Sequence, residues 1–131
     1  MTALRWVLTA PVAGIGYLAA VLFVVLLLSL LDRLCPPELM VSGQCGAAWY
    51  RPAEQAAFAV AGALGAALFV ALPWWTAPAH QRRVAAAACA LGAAWVTWVL
   101  VAVGSSFLLT FLSSVAAGVA TTWRLSRRSG P

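Results

Sequence analysis

Four long stretches of apolar residues follow one another along the chain, separated by short polar or glycine-containing stretches. The apolar stretches cover about residues 6–31, 53–75, 84–103 and 106–122. Each is close to the roughly 20 residues that an α-helix needs to cross a hydrocarbon core of about 30 Å. The pattern predicts an all-α integral membrane protein with one domain, an up-and-down bundle of four transmembrane helices.

The last two segments are separated by a turn rather than by a charged loop. Residues 84–123 contain no charged side chain, and these forty residues are too many for a single span. Gly104, Ser105 and Ser106 are turn-forming residues, so we expect the chain to reverse there. The start of segment two is marked by Pro52 and Glu54, which are typical of a first helical turn.

Composition agrees with a membrane location. Of the 131 residues, 64% are hydrophobic and only 8% are charged, which leaves too little polar surface for a water-soluble domain. The first segment is much longer than the apolar core of a signal peptide, so we expect it to remain as an anchor. All eight basic residues are arginine, and alanine is abundant. This usage is typical of a GC-rich bacterial genome and indicates a bacterial inner membrane.

Arginine placement predicts the orientation. Six of the eight arginines fall on one side of the predicted membrane, namely Arg5, Arg82, Arg83, Arg124, Arg127 and Arg128. The positive-inside rule makes that side cytoplasmic, so both termini and the tail at 124–131 should be cytoplasmic. Trp6, Trp74, Trp75 and Trp123 fall at the same interface, as expected for an aromatic belt.

The predicted exoplasmic loop, about residues 32–52, contains Cys35 and Cys45. Because a periplasm is oxidising, we expect these two cysteines to form a disulfide. The alternative is a thiol-disulfide exchange protein, but such proteins usually carry a C-x-x-C pair, and none is present. Cys89 lies within segment three, where a small packing role is expected.

Candidate chemistry is otherwise sparse. His80 is the single histidine, and the predicted topology places it across the membrane from Asp32, Glu38 and Glu54. The predicted spans contain no charged residue near their centres, and no metal-ligand spacing or phosphate-binding loop occurs. We therefore expect no catalytic residues, no cofactor and no metal site, and we expect a protein that is not an enzyme. Nucleic-acid binding is also not expected, because no basic stripe is interleaved with aromatic residues.

Segment four carries a repeating row of small side chains. Every fourth residue is glycine, serine or threonine, in the order Ser106, Thr110, Ser114, Gly118 and Thr122. Residues four apart share one helix face, and small faces let helices in lipid approach closely. This small-residue strip is predicted to be a helix-docking face, either within the bundle or toward another protein. Segments two and three carry similar small faces, which favours packing within the bundle.

These observations favour a protein that acts through contacts in the lipid bilayer. The leading hypothesis is an accessory, assembly, regulatory or immunity-type component with a membrane-protein partner or a second copy of itself. The alternative is an oligomeric small transporter or channel component lined by the hydroxyls of segment four. Small multidrug transporters have a similar length, but they rely on a glutamate in the first helix, and segment one has no acid there. A membrane redox protein is a third hypothesis, dependent on Cys35 and Cys45.

Overall fold

Four long α-helices make up most of the protein in a computed structural model that describes residues 2–77 and 79–128. They are α1 (Thr2–Arg33), α2 (Tyr50–Thr76), α3 (Gln81–Val103) and α4 (Leu108–Arg128). Each contains a stretch of 21 to 27 residues that is long and apolar enough to cross a bilayer. The predicted all-α class with four membrane-length apolar helices is confirmed.

The connection between α1 and α2 forms a small hairpin. A 3₁₀ turn (Pro37–Leu39) leads into two short antiparallel strands, β1 (Met40–Val41) and β2 (Gln44–Cys45). The two residues between the strands, Ser42 and Gly43, have φ angles of 52° and 81°. Positive φ at both central residues matches the twist of a tight hairpin, so the backbone reverses within two residues.

The connection between α3 and α4 is equally short. Gly104 ends α3 with a φ of 94°, and its N–H donates to the carbonyl of Leu100 at 2.9 Å. A side chain at this φ would be strained, which explains a glycine here. A 3₁₀ turn (Ser105–Phe107) follows, so α4 begins at Leu108 rather than at the predicted position 106.

The helices extend past the apolar stretches that predicted them. Helix α1 already begins at Thr2, and α4 continues through the arginines to Arg128, into the segment predicted as a tail. Arginine is a good helix former, and its positive charge is favourable in the last turn of a helix. Hydrophobicity marks where a helix is buried in lipid, whereas backbone hydrogen bonds decide where it ends. Residues 129–131 of the predicted tail lie outside the described residues.

Helix α2 is the centre of the structure. It packs against α1, α3 and α4, while α1 packs extensively against α2 alone. The α1–α2 contact is close, because Ala20 lies against Gly65 and Gly16 lies against Leu68 and Leu72. Helix α3 packs against both α2 and α4. The result is three mutually packed helices, α2, α3 and α4, with α1 attached along α2.

Small residues lie inside this arrangement and large apolar residues lie outside. Most buried apolar positions in the described residues are alanines, and Val70 is the largest side chain that is fully buried. Leu26, Leu91 and Val101 are instead 67% to 82% exposed. A protein stabilised by hydrophobic burial in water would show the opposite pattern. Close packing of small residues with leucine outward is what lipid as a solvent favours.

Candidate functional site

The small-residue strip on α4 faces the other helices of the same chain. Ser114 is 6% exposed, and a Cβ atom built on Gly62 of α2 would lie 2.5 Å from its Oγ. Gly118 is buried beside Cys89 of α3 and Ala66 of α2. Helices α2 and α3 therefore pack against the centre of the strip.

The ends of the strip are less enclosed. Thr110 and Thr122 are half-buried, and Ser106 is exposed in the 3₁₀ turn that precedes α4. The structure thus brings Ser114 and Gly118 into one packed helix contact and leaves Ser106 outside it.

Hydroxyl groups on this face are engaged in hydrogen bonds with backbone carbonyls. Ser114 Oγ donates to the carbonyl of Thr110 at 2.7 Å, and Thr122 Oγ1 donates to that of Gly118 at 2.8 Å. Such i to i−4 bonds are the usual way in which a hydroxyl is satisfied within an apolar helix. The strip therefore contributes to the helix contact through its small side chains, because the hydroxyls of Ser114 and Thr122 are already bonded to their own helix.

A hydroxyl that links α4 to α2 is that of Ser113, which the strip did not include. Its Oγ lies 2.9 Å from the carbonyl oxygen of Ala59 on α2 and 2.9 Å from that of Thr110 on α4. A repeat of four residues drifts off the face of a helix with 3.6 residues per turn, so positions three apart also share that face. Ser113 is three residues after Thr110, and this spacing was the signal available in the sequence.

The predicted disulfide is present between Cys35 and Cys45, whose Cα atoms lie 6.0 Å apart. It ties the end of α1 to strand β2. Nearby, the hydroxyl of Tyr50 donates to Asp32 Oδ1 at 2.5 Å, which joins the end of α1 to the start of α2. Two links therefore hold the loop and the adjoining helix ends together.

The other side chains that could take part in catalysis or bind a metal lie far apart in the structure. His80 is exposed at the start of α3 in a left-handed conformation, with its carbonyl accepting the N–H groups of Arg83 and Val84. Cys89 is a free thiol on α3. Within residues 2–77 and 79–128, no three histidine, cysteine or acidic side chains group together as metal ligands would.

A large apolar cleft lies between the helices. Its volume is about 670 Å³, and all four helices contribute to its walls. It forms because α1 packs along α2 without closing against α3 and α4. Gly14, Tyr17, Leu91 and Trp95 are among the residues that line it. The small residues in the sequence showed that helix faces could approach closely, but not that a gap would remain.

A smaller cavity, which we call the mouth, adjoins the cleft at the end of the molecule that carries the α3–α4 turn. This mouth has a volume of about 140 Å³, and its polar lining comes from Arg51, Glu54, Gln55, Thr110 and Ser106. Phe58, Phe107 and Thr110 line both the cleft and the mouth. The two phenylalanine rings meet edge to face at 5.5 Å, and they lie at the border between the two spaces.

Two exposed tryptophans stack on the outer face of α3. The rings of Trp95 and Trp98 lie 5.2 Å apart, and the residues are 55% and 61% exposed. Neither indole N–H has an acceptor among the described residues. Together with Leu91 and Val101 they form an apolar patch, which we call the tryptophan face.

No family model, curated protein or solved structure matches this chain. Its function is therefore inferred from the packing, the cleft and the exposed faces described above.

Proposed function

We propose that this chain is a multi-pass protein of the bacterial inner membrane that acts by docking another membrane protein, in an accessory, assembly, regulatory or immunity-type role. Four membrane-length apolar helices and an exterior of large apolar side chains support the membrane location. The observation that carries the docking role is the tryptophan face of α3.

The proposed arrangement is up-and-down with both termini in the cytoplasm. Helix contacts support it, since Phe58 near the start of α2 meets Phe107 just before α4, and Val70 near the end of α2 clusters with Leu125 near the end of α4. These contacts are what two helices running in the same direction would make. The side with six of the eight arginines is then the cytoplasmic side.

The depth of the tryptophan face separates it from an aromatic belt. Helix α3 has 23 residues and is thus about 34 Å long, close to the thickness of the hydrocarbon core. Trp95 lies eight residues before the last residue of α3, or about 12 Å along the helix axis from its end. Belt tryptophans keep their N–H at the headgroups, whereas the position of Trp95 along α3 lies deeper than the helix end.

An indole N–H facing lipid tails has no acceptor, and burying an unpaired polar group costs about 1–3 kcal/mol on mutational scales. A partner helix would supply an acceptor as well as contact area. Tryptophan is also enriched at the energetic centres of protein interfaces. These properties favour a protein over lipid as the neighbour of this face.

Photo-crosslinking in native membranes tests the proposal. A benzoylphenylalanine replaces Trp98, which belongs to the tryptophan face but does not border the cleft. In the control protein, the same residue replaces Leu26, an exposed residue of α1. We expect irradiation to produce a discrete protein adduct from position 98 and none from position 26. The mass of the adduct separates a second copy of the chain from another protein. Absence of any protein adduct at position 98 would contradict the docking role.

The transporter hypothesis gains no support from this geometry. It required the hydroxyls of α4 to line a path between copies, whereas Ser114 is buried against α2 and bonds to its own helix. The redox hypothesis likewise rests on Cys35 and Cys45 alone, and no third described cysteine lies beside them in the loop.

A further inference from the structure

The cleft and the mouth lie side by side, and together they offer an apolar space and a space that is partly lined by charged and polar groups. The cleft, at about 670 Å³, falls within the range of about 300–1,000 Å³ typical of small-molecule sites. The mouth adjoins it at Phe58, Phe107 and Thr110, which line both spaces. A ligand that fills both must be amphiphilic, with a long apolar portion and a compact polar end.

The cleft is lined almost wholly by apolar side chains, which suits a hydrocarbon chain. A flexible hydrocarbon chain can follow the narrow space between α1 and α3. A methylene group that leaves water contributes about 0.8 kcal/mol, but an acyl chain that enters the cleft leaves other lipid and gains less. The headgroup of the ligand must therefore supply the selectivity.

The charges at the mouth define that polar end. Arg51 makes no ion pair with any described residue, and its planar guanidinium is suited to bidentate contact with a phosphate. Glu54 lines the same small space and provides one negative charge. A phosphate diester beside an ammonium group matches this pair, whereas a headgroup with net negative charge would be repelled by Glu54.

We propose that the cleft and the mouth bind one phospholipid with a zwitterionic phosphoethanolamine headgroup, its acyl chain in the cleft and its phosphate at Arg51. The headgroup contacts are completed by Gln55 and Ser106, which line the mouth. This inference rests on the membrane location and orientation in the proposed function, which put the mouth at the outer leaflet. Leu91 and Trp95 of the tryptophan face also line the cleft, but the lipid site needs no protein partner.

Native mass spectrometry of the full chain, purified in a mild non-ionic detergent, tests the site. Phosphatidylethanolamine and phosphatidylglycerol with identical acyl chains are titrated separately. We expect one phosphatidylethanolamine to bind per chain, more tightly than phosphatidylglycerol. Equal binding of both lipids, or no saturable binding of either, would overturn the proposal.

Two variants test the two parts of the site independently. Arg51→Gln should weaken binding by about tenfold or more, since it removes a charge-assisted contact, while Arg33→Gln is the matched control at the same end of the molecule. Gly14→Leu should weaken binding because its side chain occupies part of the cleft, and the fold should not be disturbed because a Cβ at Gly14 meets nothing within 4 Å. Binding unchanged in Gly14→Leu, or equally weakened in Arg51→Gln and Arg33→Gln, would overturn the proposal.

Controls separate this site from the proposed docking role. Far-ultraviolet circular dichroism and size-exclusion elution establish that each variant is folded, and Arg51→Gln keeps the test valid if Gly14→Leu fails to fold. Because the assay contains the purified chain alone, lipid binding is measured without any protein partner. Crosslinking from position 98 can thus fail while lipid binding succeeds, and the reverse can also occur.

Discussion

Gly62 of α2 and Ser114 of α4 lie so close that a Cβ added to the glycine would be 2.5 Å from the serine Oγ. The same Cβ would be 2.9 Å from Thr110 Cγ2. Ser114 cannot simply turn away, because its hydroxyl bonds to the carbonyl of Thr110 at 2.7 Å. This contact sets the distance between α2 and α4.

Gly62→Ala should therefore destabilise the protein. Overpacking typically costs about 1–3 kcal/mol, more than the roughly 0.5–1 kcal/mol by which alanine improves a helix interior. Gly14→Ala is the matched control, since its Cβ would have no neighbour within 4 Å and only the helix preference would act. Thermal unfolding in detergent should show a lower Tm for the first variant and an equal or higher Tm for the second.

Ser113→Ala should weaken the contact between α2 and α4. It removes the hydroxyl near the carbonyl of Ala59, an interhelical bond worth about 0.6 to 2 kcal/mol in a membrane protein. Ser29→Ala provides the control, because Ser29 is exposed and bonds only to its own helix, at the carbonyl of Val25. Equal unfolding midpoints for the two variants would show that the bond to Ala59 contributes nothing.

Substitutions at Gly118 should depend on size. An alanine Cβ there would lie 3.6 Å from Cys89 Sγ, an ordinary contact distance, so Gly118→Ala should be tolerated. Gly118→Leu must separate α4 from α2 and α3, and Ser114→Leu should act in the same way. Both leucine variants should lower the Tm clearly, whereas replacing the exposed Leu108 or Leu112 with alanine should have little effect. No loss of stability in Gly118→Leu would contradict the internal docking of the strip.

The loop disulfide should be detectable by intact mass. Alkylation without reduction should modify one thiol, Cys89, and alkylation after reduction should modify three. Replacing both Cys35 and Cys45 with serine should lower stability by about 3 kcal/mol on the chain-entropy model of a short loop. Three free thiols in protein from its native membrane would rule out the disulfide in the cell.

The orientation predicts accessibility to labelling. A cysteine introduced at position 130, in a Cys89→Ser background, should react with a membrane-impermeant maleimide only after the cytoplasmic membrane is opened. The reason is that position 130 lies on the side that carries six of the eight arginines, and the positive-inside rule keeps that side in the cytoplasm. A cysteine replacing Ser42 in the hairpin should react in intact cells whose outer membrane is permeabilised. Labelling of position 130 in intact cells whose outer membrane alone is permeabilised would contradict the proposed topology.

The helices, the disulfide partners and the small helix faces could all be predicted from the sequence. Long uncharged stretches must satisfy their backbone hydrogen bonds internally, which selects helices in an apolar solvent. Cys35 and Cys45 are close in the chain, so their pairing needed no knowledge of distant contacts. Even the row from Thr110 to Gly118 followed from helical periodicity alone.

Which faces meet was decided by the tertiary structure. In a water-soluble helix the apolar stripe identifies the buried side, but in lipid both the buried and the exposed sides are apolar, so that signal is lost. The sequence could not say that α2 is central, that Ser113 rather than Ser114 reaches Ala59, or that α1 would pack extensively against α2 alone. These outcomes depend on close packing summed over whole helix surfaces. The cleft exists for the same reason, because small faces on all four helices permit several pairings and the one adopted leaves α1 and α3 apart.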